Sequence, residues 1–221
     1  MKTSVMEAVR IPAGDATLEG DLRVPDGATG LVVFAHGSGS SRFSSRNRAV
    51  AHSLEERGFA TLLMDLLTRE EEAVDLRTAS YRFDIDLLGR RVMSATDWLP
   101  TRGDLTTLPV GYFGASTGAA AALIAAADRG DIVRAVVSRG GRPDLAAEAL
   151  RRVHAPTLLI VGGDDDVVID LNREAMEKMT ADVQLAIVPG ATHLFAEPGA
   201  LEEVARLAGE WLERYLKAGE R

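Results

Sequence analysis

Three short segments carry the residue types that could do covalent chemistry. Ser116 lies in Gly114-Ala115-Ser116-Thr117-Gly118, directly after the apolar run Leu108-Pro109-Val110-Gly111-Tyr112-Phe113 and before the small-residue stretch Ala119–Ala127. A serine on a sharp strand-to-helix turn presents its hydroxyl as a nucleophile, and the flanking glycines keep the two elements from clashing. A serine hydroxyl is a weak nucleophile at neutral pH, so a base must take its proton during attack. His193 suits that role, because it alone among the four histidines follows a late strand, in the loop Pro189-Gly190-Ala191-Thr192-His193. His52 falls within a helical stretch and His154 at a helix end, where both read as surface or structural groups. The base needs a carboxylate to hold its tautomer, and Asp164, Asp165 and Asp166 follow the apolar run Leu158–Val161 and Gly162-Gly163. All three aspartates suit the role at this level, and a solvated turn capping the next helix is the bland alternative. An acyl transfer through serine also needs donors for the developing oxyanion. The Thr117 backbone N–H, at a helix N-terminus, is one of them.

These residues need a scaffold that brings strand ends together. Val5–Ile11 and Thr17–Val24 alternate apolar and polar residues around Gly14-Asp15, which predicts a hairpin. Leu31–Ala35, Ala60–Leu66, Val110–Phe113, Val133–Ser138, Thr157–Val161 and Val183–Val188 read as further strands. Helices are predicted at Arg46–Arg57, Ile85–Leu99, Thr117–Asp128, Pro143–Val153, Leu171–Met179 and Leu201–Leu216. An antiparallel start followed by strand–helix repeats predicts a single α/β domain, one mixed sheet with helices on both faces. Ser116, the aspartates and His193 each fall just past a strand's carboxyl end, where open α/β sheets place their sites.

The order Ser, Asp, His and the loop His36-Gly37-Ser38-Gly39-Ser40-Ser41 after the third strand resemble the α/β-hydrolases of the dienelactone hydrolase-like group. The resemblance covers nearly the whole chain. It implies a doubly wound, mostly parallel sheet of about eight strands and hydrolysis of esters or related acyl compounds, and no segment of the sequence is long enough for a large lid domain. It selects Asp165 as the acid, the Ser38 N–H as the second oxyanion donor, and His36 with Gly37 as support for the oxyanion loop. Dienelactone hydrolases proper use a cysteine nucleophile, whereas this chain has serine there and no cysteine at all. The match is therefore to serine-bearing relatives, and lactone specificity does not carry over.

Two other stretches border the expected site. Glu70–Glu72 with Asp75 and Arg77 lie in the connection Leu67–Arg82, where a solvated face competes with substrate contact. Arg139-Gly140-Gly141-Arg142 follows a strand on the same side, and Arg139 could hold a substrate carboxylate through its guanidinium fork.

Composition narrows the class. The 221 residues suit one domain, and a net charge of −8 with scattered basic residues argues against a nucleic-acid surface. Without cysteine there is no disulfide, thiol nucleophile or cysteine metal site. No cofactor or metal is expected. Met1–Pro12 lacks the apolar core of a signal peptide, and Ala119–Ala127 is too short to span a bilayer. The expectation is a cytoplasmic, metal-independent serine esterase, monomer or homodimer, acting on a small ester. The competing readings are a peptidase or thioesterase on the same triad, and an inactive or engineered scaffold serving as a binding protein.

Overall fold

The structure is a computed structural model that describes residues 5–216. Eight strands form one sheet: β1 (Met6–Ala13), β2 (Ala16–Arg23), β3 (Leu31–Ala35), β4 (Ala60–Met64), β5 (Val110–Ala115), β6 (Val133–Arg139), β7 (Thr157–Gly162) and β8 (Val183–Val188). Their spatial order is β1-β2-β4-β3-β5-β6-β7-β8. The β1–β2 hairpin and the β2–β4 pair are antiparallel, and the remaining five pairs are parallel. The sequence pattern follows this arrangement. The hairpin strands alternate exposed and buried residues, whereas β3, β4, β5 and β7 are buried throughout because helices cover both faces.

The helices are α1 (Ser45–Glu56), α2 (Arg69–Thr78), α3 (Ile85–Trp98), α4 (Thr117–Asp128), α5 (Asp166–Met176) and α6 (Ala200–Leu216). On one face α1 and α6 enclose Phe34, Phe113, Val137, Ile160 and Trp211; on the other, α3 and α4 enclose Leu62, Tyr112, Val136 and Leu123. Helix α4 is alanine-rich and buried along Thr117–Leu123. Small side chains let it lie close beneath β5, which fixes where its first turn points.

The helix expected over Pro143–Val153 is instead a pair of short 3₁₀ turns, Pro143–Arg152, that meet at Ala147 with φ 45°. The left-handed backbone there interrupts any continuous α-helical ladder. Helix α5 begins at Asp166, five residues before the expected Leu171, because the aspartate turn itself starts it. The connection Leu67–Arg82, expected without an element of its own, contains α2. Thr68 caps this helix and Glu71 returns the bond to the Thr68 N–H, a capping box readable as Thr68-Arg69-Glu70-Glu71. Among the described residues no helix is long and apolar enough to cross a membrane. The first four residues of Met1–Pro12 lie outside the described residues.

Candidate active site

Ser116 stands between β5 and α4 with φ 51° and ψ −123°, a strained backbone for a residue with a side chain. The turn is enforced by close approach. A Cβ on Gly114 would overlap the Ala119 backbone, and one on Gly118 would overlap the Ala35 and His36 carbonyl oxygens. Neighbouring β6 helps fix the turn, since the Ser116 N–H donates to the Arg139 carbonyl at 3.2 Å and the Arg142 N–H donates to the Ser116 carbonyl at 3.1 Å. Nothing larger than glycine tolerates this crowding, so the motif's two glycines follow from packing alone.

The aspartate turn and the histidine loop are joined to each other. The Asp164 N–H donates to the Ala191 carbonyl at 3.0 Å and the Gly163 N–H to the Val188 carbonyl at 2.8 Å. Phe195, buried with φ 54°, and a 2.6 Å hydrogen bond from the Thr192 hydroxyl to Glu197 shape the far side of the loop. The result brings Asp165 Oδ2 within 2.7 Å of His193 Nδ1, and His193 Nε2 within 3.4 Å of Ser116 Oγ. Asp165 is largely sheltered, whereas Asp164 and Asp166 are exposed. The structure thus gathers Ser116, His193 and Asp165 and leaves the other two aspartates outside. A carboxylate on Nδ1 leaves the lone pair of Nε2 facing the serine, which is the arrangement general-base activation requires. The 3.4 Å gap is looser than a tight hydrogen bond, as is common for such pairs before substrate binds.

The loop after β3 folds back onto the same turn. Gly37 packs against Ser116, where an added Cβ would lie 3.0 Å from the serine Cβ. His36 is buried: its Nε2 accepts the Leu66 N–H at 3.0 Å and its Nδ1 lies 2.9 Å from the Gly37 carbonyl. An acceptor at Nε2 puts the proton on Nδ1, so the ring is neutral and staples the loop to the segment just past β4. Burial pushes its pKa down, ahead of the opposing pull of the Gly37 carbonyl and of Asp65 and Glu72. The Ser38 N–H is engaged: it donates to Thr117 Oγ1 at 2.8 Å. The two expected oxyanion donors are therefore neighbours, but the Ser38 N–H is occupied by the threonine hydroxyl and not free in this state.

Arg139 is not an exposed fork reaching for solvent. It is 7% exposed, its Nη2 is 3.4 Å from Asn47 Oδ1, and its guanidinium stands 5.9 Å from the Phe195 ring centre. It lines a cleft of about 250 Å³ with Ser116, His193, Ser44, Arg46 and Asn47. Arg46 and Asn47 lie in the first turn of α1 and carry no motif that would single them out in the sequence. The acidic run is dispersed: Glu71 bonds Arg91 at 2.7 Å, Asp75 is buried against Arg82, and Glu72 and Asp75 border a separate hollow behind the oxyanion loop. His52 and His154 are exposed and away from the site. Among the described residues, no group of three or more His, Cys, Asp or Glu side chains converges to hold a metal ion.

Comparison with known proteins bears on the family and the fold. The family model described as "Dienelactone hydrolase family" matches residues 18–217. A crystal structure of dienelactone hydrolase from Anabaena variabilis is 58% identical, with a TM-score of 0.95 over 97% of this chain and 99% of that one. An esterase from Pyrococcus furiosus shares the fold at 20% identity, with a TM-score of 0.77 over 96% and 94% of the two chains. Two curated Mycobacterium tuberculosis proteins, each named "Putative phosphoribosyl transferase", are 59% identical over 210 residues. The match takes in 95% of this chain and 46% of theirs, so the chain spans about half the length of these relatives. On the family match over most of its length, and on an eight-stranded sheet shared with solved relatives, the chain belongs to the dienelactone hydrolase family.

Proposed function

We propose that the protein is a serine hydrolase that cleaves small carboxylic esters through an acyl-enzyme. The observation that carries this is the relay Asp165–His193–Ser116, at 2.7 and 3.4 Å, ending on a serine held in a strained turn. Ser116 Oγ attacks the ester carbonyl as His193 Nε2 takes the hydroxyl proton, forming the new C–O bond and a tetrahedral oxyanion. Collapse expels the alcohol, which receives that proton from His193. Water then attacks the acyl-enzyme by the same route and returns Ser116 with release of the acid. Asp165 keeps the tautomer and offsets the imidazolium charge. The Thr117 N–H, and the Ser38 N–H once the threonine hydroxyl yields it, stabilise the oxyanion.

The relatives' phosphoribosyl transferase name belongs to proteins about twice as long. Within the shared half, the serine relay favours hydrolysis over group transfer to a sugar. A panel of p-nitrophenyl acetate, butyrate and octanoate, with matched thioesters, lactones and peptides, tests the proposal. Turnover of the short esters with an initial burst of p-nitrophenol is expected. Cleavage confined to thioesters or peptides, or none at all, would reject it.

A further inference from the structure

Two arginines meet at the candidate site with no acidic partner. Arg139 Nε and Arg46 Nε are buried and make no hydrogen bond, and no Asp or Glu side chain lines their cleft. Neither side chain forms an ion pair among the described residues. Burying the Arg139 cation without a counter-charge is unfavourable, and the half-buried Arg46 beside it makes it more so. Desolvation, and then the nearby charge of Arg46, pull the Arg139 pKa down to about 10. At neutral pH the group remains a cation that the surrounding protein does not neutralise. The same cleft receives the N-terminal turn of α1, a twelve-residue helix with no acidic residue in its first turn. The Ser44 hydroxyl of that turn accepts from the Asn47 N–H at 3.3 Å, and the Ser45 and Arg46 N–H groups precede the first intrahelical bonds. Helix N-termini attract anions through these free donors and the helix dipole.

We propose that this cleft is an anion subsite for a phosphate monoester carried by the substrate, held between Arg139 and Arg46 at the start of α1. The proposal rests on the esterase assignment for the reaction, but not for the binding. The charge balance selects phosphate over carboxylate. Two guanidinium groups and a helix end supply more than two positive charges, more than half of which a single carboxylate leaves unmet. A phosphate monoester carries about −1.5 to −2 at pH 7 and offers three acceptor oxygens to the guanidinium forks. The cleft, about 250 Å³ and open to solvent, has room for one tetrahedral anion beside a short acyl chain. Ser116 lines the same cleft, so a substrate anchored there by its phosphate presents its ester to the nucleophile.

Inorganic phosphate is the probe. At constant ionic strength it should compete with p-nitrophenyl acetate, raising KM without changing kcat, and should bind the full chain in isothermal calorimetry. Succinate at the same concentration should bind at least about tenfold more weakly. Arg46→Gln and Arg139→Met should each weaken phosphate binding by about tenfold or more, the loss expected for one charged hydrogen-bonding partner. Arg46 is half-buried at a helix surface, so its variant stays informative if Arg139→Met fails to fold. Ester turnover without phosphate competition, or phosphate binding that neither variant weakens, would overturn the subsite and leave the esterase proposal standing. Succinate binding as tightly as phosphate would overturn it in favour of carboxylate recognition. Phosphate binding lost in the variants of a protein that cleaves no ester would keep the subsite and reject the esterase.

Discussion

The backbone N–H of Ser38 donates to the side-chain hydroxyl of Thr117 at 2.8 Å, across seventy-nine positions of sequence. This bond ties the loop after β3 to the first turn of α4, so the two groups expected to meet an oxyanion arrive together. For the Ser38 N–H to serve as the proposed oxyanion donor, it has to exchange the threonine hydroxyl for the substrate oxygen.

Thr117→Val removes that competitor and leaves both backbone donors in place. In the resting protein the Ser38 N–H, which water can reach, loses this partner, which should lower stability by about 0.5 to 1.5 kcal/mol in denaturant titrations. In the reaction, the exchange no longer breaks a hydrogen bond worth roughly 1 kcal/mol, so kcat/KM should rise up to about fivefold. A loss of activity greater than tenfold would show that the hydroxyl itself positions the site.

The three aspartates separate by geometry. Asp165 lies 2.7 Å from His193 Nδ1, while Asp164 and Asp166 face solvent. Asp165→Asn should lower kcat by about 10⁴ through the wrong imidazole tautomer. Asp164→Asn and Asp166→Asn should change it less than about tenfold, since a solvated carboxylate contributes little. Side-by-side assays on one ester, with thermal melts to confirm folding, decide the matter. The large loss falling on Asp164 or Asp166 would displace Asp165.

His36 gives stability a pH dependence of known sign. Its folded pKa lies below the ordinary 6.5 because the ring is buried, so below about pH 6.5 the unfolded chain binds the extra proton. Stability should therefore be complete above pH 6.5 and decline as the pH falls towards the folded value. His36→Gln keeps an acceptor for the Leu66 N–H but does not titrate. Its melting temperature should start lower at pH 7 and fall less between pH 6.5 and 5 than that of the parent. Equal slopes in the two proteins would remove His36 from the acid response.

Much of this was legible in the chain because chemistry and geometry coincide at a few residues. Ser116 is readable since its strained turn demands glycine at 114 and 118, and the strands are readable as apolar runs bounded by glycine and proline. Asp165 is different. Its neighbours have the same side chain, and only the bonds from Gly163 and Asp164 to the histidine loop determine which one turns inward. Helix α2 was hidden by its acidic composition, although the Thr68–Glu71 capping box marked its start. The break at Ala147 has no local signal, since alanine favours the helix that tertiary packing interrupts. Arg46 was equally silent: its significance comes from Arg139, ninety-three positions away, arriving at the same cleft without a carboxylate.

The central claim is that Ser116 is the nucleophile activated by His193. The most direct test is to label the protein with a fluorophosphonate, digest it and locate the adduct by mass spectrometry. The account predicts one stoichiometric adduct, on Ser116, that is absent from Ser116→Ala and strongly slowed in His193→Ala. In parallel, Ser116→Ala should lose on the order of 10⁶ in kcat with an unchanged circular dichroism spectrum. An adduct on another residue, or a folded Ser116→Ala protein that keeps more than a tenth of the parent's esterase activity, would contradict it.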